Sequence, residues 1–131
     1  VSDPVTHPTL TFDVGWDALC SDNDKYVSHS GYILTPKYRG AKTRLANAAW
    51  VAATQAKWQR ATGPVLLMVA VREPDRRRRD FNWAKQVMDA INGSEAVWWD
   101  DSQVRQMFWY FAGVDKDNPG ATITVVLLPS L

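Results

Sequence analysis

The chain has 131 residues, 46 % of them hydrophobic, which fits one domain able to bury a core without metal or disulfide staples. Its one cysteine, Cys20, excludes an internal disulfide, and neither a C-x-x-C pair nor a Cys/His cluster is present to hold zinc. The net charge of +1 conceals a division: residues 37–85 carry twelve Lys/Arg against three Asp/Glu, and the remainder three against eleven, a segregation that lets a chain offer a cationic face to phosphates.

The N-terminal VSDPVTHP lacks the layout of a signal peptide, and no apolar run reaches the roughly 18 residues of a membrane span. The expectation is a cytoplasmic protein with no membrane partner, residues 1–7 forming a tail. PTLTFDVG, residues 8–15, alternates Leu10, Phe12 and Val14 with polar positions, the period of a half-buried strand. WDALCSDNDKYVSHSGYIL then reads as a long loop with a short hairpin. Thr35 followed by Pro36 is a cap and first-turn signal for a helix to about residue 60. Its inward stripe is expected at Tyr38, Ala41, Leu45, Ala48, Ala52 and Ala56, with Lys37, Arg39, Lys42 and Arg44 off it.

Gly63 and Pro64 close that unit, and PVLLMVAV is nearly continuous in apolar residues, as in a strand buried on both faces. A second helix is expected from Asp80 to Ile91, with Asp80 near the N-cap, Ala84, Val87, Met88 and Ile91 inward, and Asn92-Gly93 as the stop. VRQMFWYFAG and ATITVVLL, joined by DKDNPG, read as an antiparallel hairpin. The fold class is therefore α/β (α+β): one domain over residues 1–131, a single mixed sheet with two main helices in the order β-α-β-α-β-β.

Chemistry concentrates in EPDRRRRDFNWAK, residues 73–85. In an extended run Arg76 and Arg78 face one way and Arg77 and Arg79 the other, so two can grip DNA phosphates while two pair with carboxylates or a partner subunit. Asp80 sits at a strand-to-helix junction, and Asp100 and Asp101 follow about twenty residues later in WWDDSQV. Carboxylates that converge repel unless a hard cation lies between them, and Mg²⁺ on one or two carboxylates plus substrate phosphate suits phosphodiester hydrolysis. Lys85 is placed to neutralise charge developing on the phosphate. Each residue also has a plain structural role open to it: Asp80 as a cap, Asp100 and Asp101 as a solvated turn, Lys85 as a partner of Asp89. Trp50, Trp58 and Trp109 are expected in the core or a dimer contact. Trp98 and Trp99 are read as packing residues with base stacking as the alternative, and Trp83 as a wall of the metal site or an interface anchor.

PDRRRRD, then Asn82 and Lys85 as Asn-x-x-Lys, Asp89-Ala90, and Trp98, Asp100-Asp101 and Gln103-Val104, together resemble the RusA-type Holliday junction resolvases, small endodeoxyribonucleases often carried by phages. SDNDKY and GYILTPKYR resemble that family's N-terminal asparagine-containing loop and first helix. The resemblance implies a homodimer, Mg²⁺ or Mn²⁺ as cofactor with no small-molecule cofactor, and paired nicking of branched, four-way DNA. It puts the catalytic aspartates on Asp80 and Asp101 and the lysine on Lys85. Asp100 and Asn82 stand beside the metal, and Arg76, Arg77, Arg78, Arg79, Lys37, Arg39 and Lys42 hold DNA. One departure falls inside the motif. The family reads D-x-D-N-x-x-K where this chain reads D-F-N-W-A-K, so one carboxylate is missing near Asn82. An amide oxygen can face a cation but brings no charge and no base. Two further readings follow: a junction-binding protein with weakened or absent cleavage, and a non-enzymatic phage protein that binds nucleic acid through the basic face.

Overall fold

The structure is a computed structural model that describes residues 8–21, 34–79 and 82–129. Six main elements follow in order: β1 (Thr9–Gly15), α1 (Pro36–Gln55), β2 (Val65–Glu73), α2 (Ala84–Gly93), β3 (Val104–Val114) and β4 (Gly120–Leu127). Short 3-10 turns cover Trp16–Ala18 and Asp101–Gln103. The expected order of elements and the single mixed sheet are both present. The long loop with a short hairpin expected after β1 lies largely outside the described residues.

The pairing of the last two strands corrects the sequence reading. The sheet order is β1-β4-β2-β3, so β4 lies antiparallel between β1 and β2, while β3 runs parallel to β2 on the outer edge. DKDNPG therefore carries the chain past β2 instead of closing a hairpin. The reason is burial. β4 alternates three fully buried positions, Ala121, Ile123 and Val125, which match the buried Val65, Leu67, Val69 and Val71 of β2, whereas β3 keeps Phe108, Tyr110 and Phe111 exposed. A strand with that much exposed aromatic surface is stable at the rim and not at the centre. The β2-α2-β3 unit is then a parallel crossover of the usual kind.

The two helices pack against each other, with α1 also against β1, and the core runs through Leu45, Ala49 and Ala53 of α1, Val87, Ala90 and Ile91 of α2, and the inward strand positions. The α1 stripe begins as expected at Tyr38, Ala41 and Leu45 but continues through Ala49 and Ala53. Ala48 and Ala52 are half-buried and Ala56 is exposed. The helix also ends earlier than residue 60. Lys57 adopts a left-handed φ of 54°, with its N–H donating to Thr54 O at 3.2 Å and the Trp58 N–H to Ala53 O at 2.8 Å. This paired arrangement closes helices ordinarily with glycine, and a lysine in its place leaves no signal in the sequence.

The second helix is likewise shorter at its start. It begins at Ala84 with Trp83 at the N-cap, four residues after the start expected at position 80, and its inward side is Gln86, Val87, Ala90 and Ile91, with Ala84 and Met88 half-buried. Buried Gln86 accepts from the Cys20 N–H at 3.3 Å and donates to Ala18 O at 3.1 Å, which ties the segment after β1 to α2. Gly120 opens β4 at φ 153°, where a β-carbon would overlap the Val14 carbonyl. Gly120→Ala is expected to cost about 2 to 4 kcal/mol of unfolding free energy in urea titration. Gly93→Ala, with nothing within 4 Å of an added β-carbon, is expected to stay within about 0.5 kcal/mol.

Candidate functional site

The parallel pairing gives β2 and β3 a common polarity, and the chemistry-bearing residues divide between their two ends. Val104 pairs with Val65 at one end and Val114 with Glu73 at the other. Asp100 and Asp101 stand just before the first pair, and residues 76–79 follow the second, a separation of roughly 25 Å at about 3.3 Å per residue. The structure therefore does not bring Asp101 and the arginines together within one chain. Asp80 lies outside the described residues.

At the arginine end, the run doubles back on two acids. Arg79 Nη1 lies 3.0 Å from Glu73 Oε2 and its Nη2 2.8 Å from Asp75 Oδ1, with side-chain exposures of 17 % for Arg79 and 8 % for Glu73. The Asp75 carboxylate also accepts from the Arg77 N–H at 2.9 Å and from the Arg77 guanidinium at 3.2 Å. The Arg77 backbone and side-chain bonds, with help from Arg79, hold Asp75 at about 2, well below its ordinary 3.8. Its contribution to the loop is thus in place above the ordinary value and is lost as pH falls through about 2. Burial draws the Arg79 pKa down, and the bonds and charges of Asp75 and Glu73 outweigh it, so the net shift is upward. Arg76 and Arg78 are exposed and form no ion pair among the described residues.

The basic start of α1 reaches the same end. The Arg79 guanidinium sits 5.1 Å from the Trp16 ring centre, and next to it Arg44 pairs with Asp17 at 3.3 Å. Lys37 and Arg39 are exposed and Lys42 half-buried on that first part of the helix. Trp16 in turn stacks edge-on against Trp83 at 5.4 Å, and Trp83 meets Trp109 at 6.3 Å. Trp83 is thus a buried core residue beneath the clamp, 4 % exposed, and Asn82 is half-buried beside it.

At the opposite end the two aspartates have separate duties. Asp100 caps the 3-10 turn: its side chain accepts from the turn and from the Ser102 hydroxyl, and Gln103 Oε1 accepts from the Trp99 and Asp100 N–H groups at 2.8 Å each. Asp101 is half-buried, and its Oδ1 accepts from Trp98 Nε1 at 3.0 Å. Burial pushes the Asp101 pKa up and the Trp98 bond opposes it. The charges of Asp89 and Asp100 add to the rise, and Lys85 draws it down. So α2 delivers Lys85 and Asp89 to within electrostatic reach of Asp101, and no ion pair joins Lys85 to Asp89 among the described residues. Trp98 is fully buried, while Trp99 is 59 % exposed under the Arg60 guanidinium at 3.7 Å from its ring centre. Trp50 is exposed and stands outside the core. Sequence reasoning missed Arg60 as a neighbour of this end, because it has no spacing signal, and read Asp89 only as a partner of Lys85 and part of the Asp89-Ala90 pair. Among the described residues no three His, Cys, Asp or Glu side chains converge as a metal-ligand group.

The chain is thus an α+β domain with a parallel crossover, a cationic end and an opposite end that carries Lys85, Asp89, Asp100 and Asp101. The family model described as endodeoxyribonuclease RusA matches residues 17–126, and the chain belongs to that family. No curated relative matches the chain at a significant level, so membership rests on the family model.

Two measurements check this geometry. Glu73→Ala strips a buried partner from Arg79 and is expected to cost about 3 kcal/mol of stability in thermal or urea unfolding, whereas loss of an exposed surface pair costs under about 1 kcal/mol. Trp98→Phe removes the donor to Asp101, so the carboxylate is expected to titrate still higher in an NMR pH series. Because a raised carboxylate pKa costs stability as pH rises through it, the variant should lose more stability on going from acid to neutral pH than the parent.

Proposed function

We propose that the chain is a structure-selective endodeoxyribonuclease that resolves four-way DNA junctions by divalent-metal-dependent, paired phosphodiester hydrolysis, acting as a homodimer. The observation that carries this reading is the family match over residues 17–126, which spans both chemical ends. The acids present suit the group implied. Mg²⁺ accepts one or two carboxylates and completes its shell with water and substrate phosphate, and Asp101, its orientation fixed by Trp98 Nε1, offers one such ligand with Asp100 beside it. When bound, the cation would supply an activated water and charge for the leaving oxygen. Asp80 is the second acid in this proposal. Lys85 is a cation aimed at the developing phosphate charge, and Arg76, Arg78, Lys37, Arg39 and Lys42 hold the DNA strands.

A second copy gives the two ends a way to meet. β3 is an edge strand, and two chains laid antiparallel along that edge set the acidic end of each beside the arginine end of the other. Opposite charge and twofold symmetry both favour that arrangement, and a twofold dimer matches two symmetric cuts. The departure at Asn82 favours a weaker enzyme than a family member with the full acid set, since an amide in that position brings no charge.

Purified protein with Mg²⁺ or Mn²⁺ is expected to nick a synthetic four-way junction in symmetric pairs and to leave linear duplex largely intact. A junction that survives excess enzyme in both metals overturns the catalytic reading. Asn82→Asp is expected to raise the cleavage rate, by about a hundredfold if the missing carboxylate limits the chain. An unchanged rate shows that it does not.

A further inference from the structure

The arginine end holds a cleft that the family match does not explain residue by residue. Its volume is about 680 Å³, and it is lined by Glu73, Arg76, Arg77, Arg78, Arg79, Phe111 and Val114. It lies beyond the carboxyl ends of the two parallel strands β2 and β3, the position where open α/β sheets with crossover helices ordinarily receive ligands. Its lining is of two kinds. Arg77 and Arg79 are engaged by Asp75 and Glu73, so they shape the wall and carry little uncompensated charge. Arg76 and Arg78 keep their charge. The remaining surface is apolar: Phe111, 49 % exposed, and Val114.

The register explains why an aromatic stands there. Phe111 is two residues beyond Trp109 and on the same face of β3, and it pairs with Val71 just before the pairing slips by one residue at Arg72 and Gly113. Gly113 takes φ 120° at that irregularity, which turns the strand end and brings Val114 opposite Glu73. A flat aromatic beside two uncompensated guanidiniums is complementary to a nucleotide, whose base stacks while its flanking phosphates pair with arginine. A duplex gives no access to a base face, whereas strands exchanging at a junction supply nucleotides that leave the stack at low cost.

We propose that this cleft receives one unstacked nucleotide of a DNA strand, its base against Phe111 and Val114 and its phosphates on Arg76 and Arg78. The proposal rests on the junction-binding reading above and adds the residue that senses strand opening. Phe111 acts by stacking, so its loss weakens DNA binding without changing how many phosphates are held. Arg76 and Arg78 act through charge, so their loss changes the salt dependence.

The test uses the full chain and a synthetic four-way junction with 2-aminopurine at the branch nucleotide, in Ca²⁺ so that no strand is cut. Wild-type protein is expected to raise the probe's emission. Phe111→Ala is expected to abolish the rise and weaken junction binding about tenfold with an unchanged salt slope, and Phe111→Trp to restore both. Arg76→Ala with Arg78→Ala is expected to flatten the slope of log affinity against log salt by about 1 to 2. Circular dichroism melting confirms that each variant is folded. Phe111→Ala protein that binds and brightens the junction like wild type overturns the proposal. So does a Phe111→Ala change confined to sedimentation behaviour, which would make the aromatic a contact between two copies of the chain. A 2-aminopurine single strand provides the separating arm. Binding there that depends on Phe111, with no preference for the junction, keeps the nucleotide cleft and discards the junction reading, and failure to bind either DNA overturns both.

Discussion

Everything chemical in this molecule depends on β3 running parallel to β2. Parallel pairing requires a crossover, and the crossover is α2, which must return from the carboxyl end of β2 to the amino end of β3. Residues 76–79 are therefore stranded at one end of the sheet, and Trp98 to Asp101 at the other. The register holds a cationic end and an acidic end apart on one rigid surface, and Lys85, projecting from the first turn of α2, is the cation that reaches the acids.

The four arginines show how local charge is divided between structure and ligand. Packing four guanidiniums into successive positions is costly unless some are neutralised, and the chain neutralises two on Glu73 and Asp75. The buried Glu73 has no use for a core except to meet Arg79, since a carboxylate left there unpaired would lose several kcal/mol of hydration. That pair stacks on Trp16, and Trp16 on Trp83, so the clamp is fastened to the core by aromatic contacts. What remains without an ion pair is Arg76 and Arg78, held at a fixed spacing by a loop whose own charge is already satisfied. Preorganisation of this kind lowers the entropy lost when phosphate is bound.

Much of the fold was legible because most elements carry their period in the sequence. Residues 9–15 alternate, residues 65–71 are continuously apolar, and the Thr35-Pro36 cap marks the start of α1 to the residue. The misplaced hairpin has a definite cause: local turn chemistry in DKDNPG is satisfied equally by a hairpin and by a connection across one strand, and only the number of buried faces separates them. The end of α1 was unreadable because a lysine occupies the left-handed position. At the site, the arginines divide into two that pair and two that do not, as alternation anticipated, although the loop beyond β2 and not a strand divides them, whereas the roles of Arg60 and Phe111 depend on which strand neighbours which, and no spacing encodes that.

Trp98 dissolves a choice that the sequence posed, between tryptophan as packing and tryptophan as function. Its ring is fully buried, yet its one polar atom points out of the core at Asp101. An indole N–H in that setting needs an acceptor, and a half-buried carboxylate needs a donor, so each removes the other's penalty. The pair then fixes one Asp101 oxygen, and the rigidity of the core is passed to the acid. Placing the aspartate on a loose loop would have left it better hydrated and more easily ionised, but with no defined direction in which to hold a cation.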